Sequence, residues 1–268
     1  MVSYKEVLLM KQQQFLNIEQ QFDNYVSNFS LEDPADQQNI DLKYKHSYQV
    51  CRKMNQIIED MLNQEQSYIA QTIALLHDIG RFKQYQEYKT FADAKSEDHA
   101  QLGVSVIKNN NFLATVDTAT KELILKAIQY HNKPYLPDNE SEECLLYTKL
   151  IRDADKLDIW RVVLKEYNSS STNQAVGLGL SQENKISEAV QKQIMNETVV
   201  KYEDLQTLND FKLLQMGWVF DINFGPSFEI IKEKEYIERL YDTLPQTPAT
   251  KKIYTKIKSY LEQQINQF

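Results

Sequence analysis

The sequence predicts an all-α fold, a helical bundle with additional C-terminal helices, on three observations. Its 268 residues include only 6 Gly and 6 Pro, which leaves few of the residues that turns and strand ends need. Gln, Glu, Lys and Leu are plentiful, and these side chains, none of them branched at Cβ, lose little rotamer freedom in a helix. Apolar residues also recur at steps of three and four, the helical period. Together these predict helices over 3–29, 41–63, 66–79, 97–110, 119–131, 142–167, 184–196, 203–216, 226–242 and 248–266, with Pro34, Pro134, Pro137 and Pro226 at or near breaks.

Five of these helices have a definite inner face. On 41–63, His46 heads a stripe of Val50, Met54, Ile57 and Met61, and on 66–79, Ile69, Ile73 and Leu76 lead to His77. His99 begins the stripe Leu102, Gly103 and Val106 on 97–110. On 119–131, Ile124, Ala127 and Ile128 end at His131, and on 142–167, Cys144, Thr148 and Ile151 lead to Asp155. The low-complexity stretch 168–173, followed by Gly177-Leu178-Gly179, reads as a flexible loop. It divides 1–167, which holds all the chemistry found, from a helical extension, 168–268, expected to pack on that core. The extension has one distinctive phrase, Met216-Gly217-Trp218-Val219-Phe220-Asp221-Ile222-Asn223-Phe224, whose apolar and aromatic residues predict burial.

A hydrophobic content of 42% with 25% charged residues is that of a soluble globular protein. The net charge of -8 argues against coating nucleic acid or an anionic membrane, both of which need a broad basic surface. No apolar run reaches the roughly 18 residues of a membrane span, and Met1 to Lys11 lacks the marks of a signal peptide, which predicts a cytoplasmic protein. Cys51 and Cys144, only two and far apart, read as buried free thiols.

The chain has just 4 histidines, and every one of them falls on an inner face. One such imidazole is ordinarily a hydrogen-bonded core residue. Four of them, with Asp78 beside His77 and Asp155 inward on its own helix, are hard to explain as independent accidents. A carboxylate buried without a partner costs several kcal/mol, and a buried neutral imidazole still needs partners for its nitrogens. A shared metal centre satisfies all six side chains at once.

These residues carry a resemblance. His46, then His77-Asp78, then Asp155 match the His…His-Asp…Asp signature of the HD-domain superfamily of metal-dependent phosphohydrolases. The surrounding words Lys45-His46-Ser47-Tyr48, Ala74-Leu75-Leu76-His77-Asp78-Ile79-Gly80-Arg81 and Ile151-Arg152-Asp153-Ala154-Asp155-Lys156-Leu157-Asp158 are similar to its three blocks, and the likeness covers about 40–165. His99 and His131 resemble the two extra histidines of its dinuclear members. The resemblance implies that His46, His77, Asp78 and Asp155 hold one metal, while Asp78 bridges to a second held also by His99 and His131. Two divalent transition-metal ions are thus expected, Mn or Fe first, with Zn, Ni, Co or Mg as other choices.

Such a pair, about 3.5–4 Å apart, can activate a water and polarise a phosphoryl oxygen. The expected substrate is a small phosphorylated molecule, a nucleotide first of all, with Asp78 and Arg81 as catalytic residues. Arg81, Arg152 and Lys156 are the expected substrate contacts; Lys83, Lys133 and Arg161 have weaker claims as solvated cations. Asp158 is a candidate to orient a ligand, and Tyr85, Tyr88 and Phe91 to stack a base, although packing is the commoner role of such aromatics. Ile79-Gly80-Arg81-Phe82 stands where alarmone hydrolases of the superfamily have Glu-Asp, and Asn132-Lys133-Pro134-Tyr135 lacks the Gly-Tyr-Pro of its cyclic di-GMP phosphodiesterases, so neither activity is expected. The ligand set resembles diadenosine tetraphosphate hydrolases, and the extension resembles the C-terminal region of bacterial HD-domain proteins of uncharacterised function. Two other readings stay open: a mixed-valent di-iron oxygenase with the same ligands, and a nucleotide-sensing module without turnover.

Overall fold

The computed structural model describes residues 10–167 and 180–267, so the expected loop at 168–173 and 177–179 and the first turns of the expected helix 3–29 lie outside the described residues. Among the described residues the chain is α-helical with no strand, and one isolated parallel bridge joins Ser181 to Thr207. Helix α1 (Gln12–Val26) buries Ile18, Phe22 and Val26, one stripe at steps of four. Helix α2 (Pro34–Ile58) starts earlier than the expected residue 41. Pro34 takes the first helical position, where a missing N–H costs nothing, and the Asp33 carboxylate accepts from the N–H groups of Ala35 and Asp36.

Ile58 ends that helix short of the expected residue 63, and Met61, expected on its buried stripe, is 41% exposed because it lies beyond the end. Asn63 then opens α3 (Gln64–Leu76) through a reciprocal capping box with Gln66. Helix α4 (Gly80–Tyr88) lies outside the ranges that the sequence predicts. Both of its ends lack the usual signals: no side chain caps its start, and it stops at Lys89, whose φ of 53° is left-handed without being glycine. The next helices are capped by acids, α5 (His99–Asn109) by Asp98 and α6 (Thr118–Tyr130) by Asp117. Helix α7 (Glu142–Tyr167) follows.

The chain divides into two compact units, Met1–Asp155 and Lys156–Phe268, with the division inside α7. In the first, α3 buries every residue from Ile69 to Leu76 except Gln71 and is the central helix, packed by α1, α2 and α6. Helix α4 lies against α5 so closely that a Cβ on Gly80 would sit 2.3 Å from the His99 carbonyl oxygen and 2.6 Å from the Gly103 nitrogen. Only glycine fits there. Cys144 is buried as expected, Cys51 only half-buried, and both thiols are free.

The second unit holds α8 (Glu188–Met195), α9 (Leu208–Gly217), α10 (Gly225–Glu233), α11 (Tyr236–Asp242) and α12 (Pro248–Gln267). The helix expected over 226–242 is two helices, because Glu235 adopts a left-handed φ of 52° between them. The helix expected over 203–216 is a short 3-10 turn, Tyr202–Asp204, followed by α9. Within this unit Met216, Val219 and Ile222 are buried, and Trp160 lies 6.1 and 5.7 Å from the rings of Trp218 and Tyr236. No helix among the described residues is long and apolar enough to cross a membrane.

Candidate metal centre

Five helical segments of the first unit bring the six expected side chains together. His46 comes from the middle of α2, His77 and Asp78 from the turn after α3, His99 from the first residue of α5, His131 from the residue after α6, and Asp155 from α7. The four imidazoles are 0–5% exposed and Asp78 is 3% exposed. His46 Nε2 lies 3.0 Å from Asp155 Oδ1 and 3.6 Å from Asp78 Oδ2, and His77 Nε2 lies 3.6 and 3.7 Å from the same two oxygens. The other Asp78 oxygen, Oδ1, is 3.5 Å from His99 Nε2. Asp78 therefore stands between two sets of ligand atoms, one on each of its oxygens.

The hydrogen bonds behind the imidazoles fix which nitrogen faces the site. His77 Nδ1 is 2.8 Å from the Ala74 carbonyl oxygen and His131 Nδ1 is 2.7 Å from that of Ile128. A carbonyl only accepts, so each Nδ1 donates and each neutral ring turns an Nε2 lone pair inward. His99 Nδ1, 2.6 Å from Asp93 Oδ2, is set the same way. The consequence is a conflict: His99 Nε2 and His131 Nε2 face each other at 3.1 Å, acceptor to acceptor. His77 Nε2 is buried with no hydrogen bond, turned toward carboxylates that also only accept.

Titration sharpens that conflict. Burial, with His99 and His77 adding to it, pushes the His131 imidazole down to about 3, and burial followed by Arg81 lowers His99 as well, so both are neutral near pH 7. Burial alone would raise the Asp78 carboxyl, yet Lys43, His77, Arg81 and His99 hold it well below the usual range; burial opposed by His46 and His77 leaves Asp155 equally ionised. Neutral imidazoles and ionised carboxylates are the protonation states that ligate metal. The residues present fit a divalent cation, and among the described residues the groups within reach of one ion are His46–His77–Asp155, His77–Asp78–His131 and Asp93–Asp98–His99. In the last, Asp98 already caps α5 and pairs with Asn132 and Lys133.

The cations expected to meet substrate are all engaged. Arg81 Nη1 donates to Asp93 Oδ1 at 2.8 Å and to the Phe91 carbonyl, and its Nε lies 3.4 Å from Asp78 Oδ1. Arg152 donates to the backbone carbonyls of His131 and Lys133, holding the residues after α6. Lys156 pairs with Asp221 at 2.7 Å, and Asp158, buried, pairs with Arg161 at 2.6 Å; both pairs lie in the second unit. Lys83 faces Glu87 at 3.7 Å on the exposed side of α4. Tyr85 is buried against Phe91 and bonded to Asp36, a packing role, whereas Tyr88 is 41% exposed.

Two residues at the centre escaped the sequence reading. Lys43 Nζ lies 2.7 Å from Asp78 Oδ2; it sits three residues before His46, on the same helical face, and that spacing was the available signal. Asp93 lies in a 3-10 turn, Asp93–Lys95, where no periodicity exists to mark it.

The family model of the HD domain matches residues 44–160. No curated protein and no solved structure gives a significant match to the chain.

Proposed function

Since residues 44–160 are an HD domain, the module of a superfamily of metal-dependent phosphohydrolases, we propose that this chain hydrolyses a phosphate ester or anhydride of a nucleotide, or a related phosphodiester, at a dinuclear metal centre. His46, His77, Asp78 and Asp155 would hold one ion, and Asp78, His99 and His131 the other, with Mn or Fe the favoured metals. Two such ions, when bound, activate water and stabilise the oxygens of an in-line displacement.

The observation that carries this reading is the pair of facing acceptors, His99 Nε2 and His131 Nε2 at 3.1 Å, on rings whose other nitrogens are already committed. Outward bonds of this kind orient ligating imidazoles and raise their basicity. Asp78 supplies the shared carboxylate, since its Oδ2 serves the His46 and His77 side and its Oδ1 the His99 side. Lys43 and Arg81 flank that carboxylate from its two oxygens, and positive charge on both sides of it supports a phosphorylated substrate. Arg152 acts indirectly, by bracing the backbone that follows His131. Lys156 is paired with Asp221 within the second unit.

The test is metal analysis of purified protein, then an activity screen of Mn-, Fe- and Co-loaded samples across nucleotides, dinucleotides, cyclic dinucleotides and bis-p-nitrophenyl phosphate. Phosphate or phosphomonoester release is expected. Absence of cleavage across that set by fully loaded protein overturns the proposal, and turnover that requires dioxygen replaces hydrolysis with oxygenation.

A further inference from the structure

One carboxylate outside the six expected ligands binds two parts of the site at once. Asp93 Oδ2 accepts from His99 Nδ1 at 2.6 Å and from Asn132 Nδ2 at 3.4 Å. Its Oδ1 accepts from Arg81 Nη1 at 2.8 Å and from Gln84 Nε2 at 2.9 Å. Gln84, fully buried in α4, also donates to Ser96 Oγ and to the Glu97 carbonyl at 2.8 and 2.9 Å, so the chain that follows Asp93 is held against α4, while Arg81 donates to the Phe91 carbonyl before it.

Both groups that Asp93 holds converge again on one atom. His99 Nε2 lies 3.5 Å and Arg81 Nε 3.4 Å from Asp78 Oδ1, the oxygen on the side of the second ion. We propose that Asp93 is the positioning residue of that second metal position: it keeps His99 as the Nδ1–H tautomer, with the Nε2 lone pair inward, and fixes Arg81 beside Asp78. The inference rests on the dinuclear reading above. Its chemistry is simple, because an imidazole whose Nδ1 loses its acceptor is free to carry the proton on Nε2 instead, and a protonated Nε2 cannot ligate. Arg81 is then a partner of Asp93 in aligning the Oδ1 side rather than an independent phosphate clamp.

Asp93→Asn separates this role from mere packing. The amide keeps the size of the carboxylate but offers one acceptor and one donor, so it cannot accept from both His99 and Arg81. Titrated with Mn²⁺ alone, the wild-type chain is expected to take up two ions and to give the electron paramagnetic resonance spectrum of a coupled pair. The variant is expected to bind the first ion with unchanged affinity and the second about 10–100-fold more weakly, leaving an isolated-ion spectrum at matched metal. Unchanged affinity for the second ion overturns the proposal, and so does equal weakening of both ions, which is what a purely structural loss would give. If the variant does not fold, ¹⁵N imidazole spectra of the metal-free wild type decide: His99 as Nδ1–H supports the proposal, and Nε2–H overturns it. A wild-type chain that takes up one ion or none defeats the dinuclear reading and this inference with it, an outcome distinct from a wild type with two and an unaffected variant.

Discussion

A single carboxylate, Asp78, separates the two halves of the proposed centre, and its two oxygens have different neighbours. Replacing it by Ala removes the carboxylate that faces His99 Nε2 and one of the two that face His46 and His77. Asp78→Ala is therefore expected to lose both ions, read as metal per chain after dialysis against Mn²⁺; retention of two would refute the bridging role. His131 makes a second prediction at this scale. Its folded-state pKa of about 3 lies below the ~6.5 of an unfolded imidazole, so between those values the unfolded chain binds more protons. The stability contributed by the neutral ring is complete above ~6.5 and is lost as pH falls toward 3. Metal-free protein should unfold at lower urea at pH 5 than at pH 7, and His131→Gln should shrink that difference; a pH-independent midpoint would contradict it.

At the scale of elements, the site depends on one close approach. The α4–α5 contact at Gly80 brings the start of α4 against the His99 carbonyl, and backbone atoms 2.3 and 2.6 Å from a built Cβ have no rotamer with which to yield. Gly80→Ala should destabilise the chain by about 1–3 kcal/mol and weaken the His99 side of the centre more than the His46 side. Gly103→Ala is the control, since its nearest contact at 3.4 Å is close to an ordinary one, and equal effects of the two changes in urea unfolding would dismiss the argument. The elements that the sequence predicts well are those with long apolar stripes: Ile69, Ile73 and Leu76 on α3, Leu102 and Val106 on α5, Ile124 and Ile128 on α6. Helix α4 escapes because its start has no capping side chain and its end no glycine, and the 226–242 segment splits at Glu235, whose left-handed backbone the residue type does not announce.

For the whole molecule, a centre built from six side chains on five segments links metal binding to folding. Metal held by the native chain and not by the unfolded one stabilises by about 2.7 kcal/mol at a free concentration of 100 times Kd. Thermal unfolding should move upward as Mn²⁺ is added, return on chelation, and stay fixed in Asp78→Ala; a midpoint indifferent to metal would show that these residues do not form a native-state site. The second unit has its own buried centre around Trp160, whose indole donates to the Gln215 carbonyl at 2.9 Å. Trp160→Ala should cost about 3–5 kcal/mol of that unit's stability, read by near-ultraviolet circular dichroism during unfolding.

The helical class and the inward faces that carry the four histidines and Asp155 were legible in the chain, because they follow from the 3.6-residue period and from the cost of burying imidazoles and carboxylates without partners. Asp78 was marked by its place beside His77 and by the resemblance to HD-domain proteins. Tertiary structure alone decided the rest. That the Oδ1 of Asp78 faces one histidine and its Oδ2 two others, that His99 leans on Asp93, and that Arg81 is bonded to Asp93 and the Phe91 backbone are contacts between segments far apart in the chain or in an irregular turn. Helical phase records which way a side chain points from its own axis, but which atom it meets there is set by how the helices pack, and no local pattern encodes that distance.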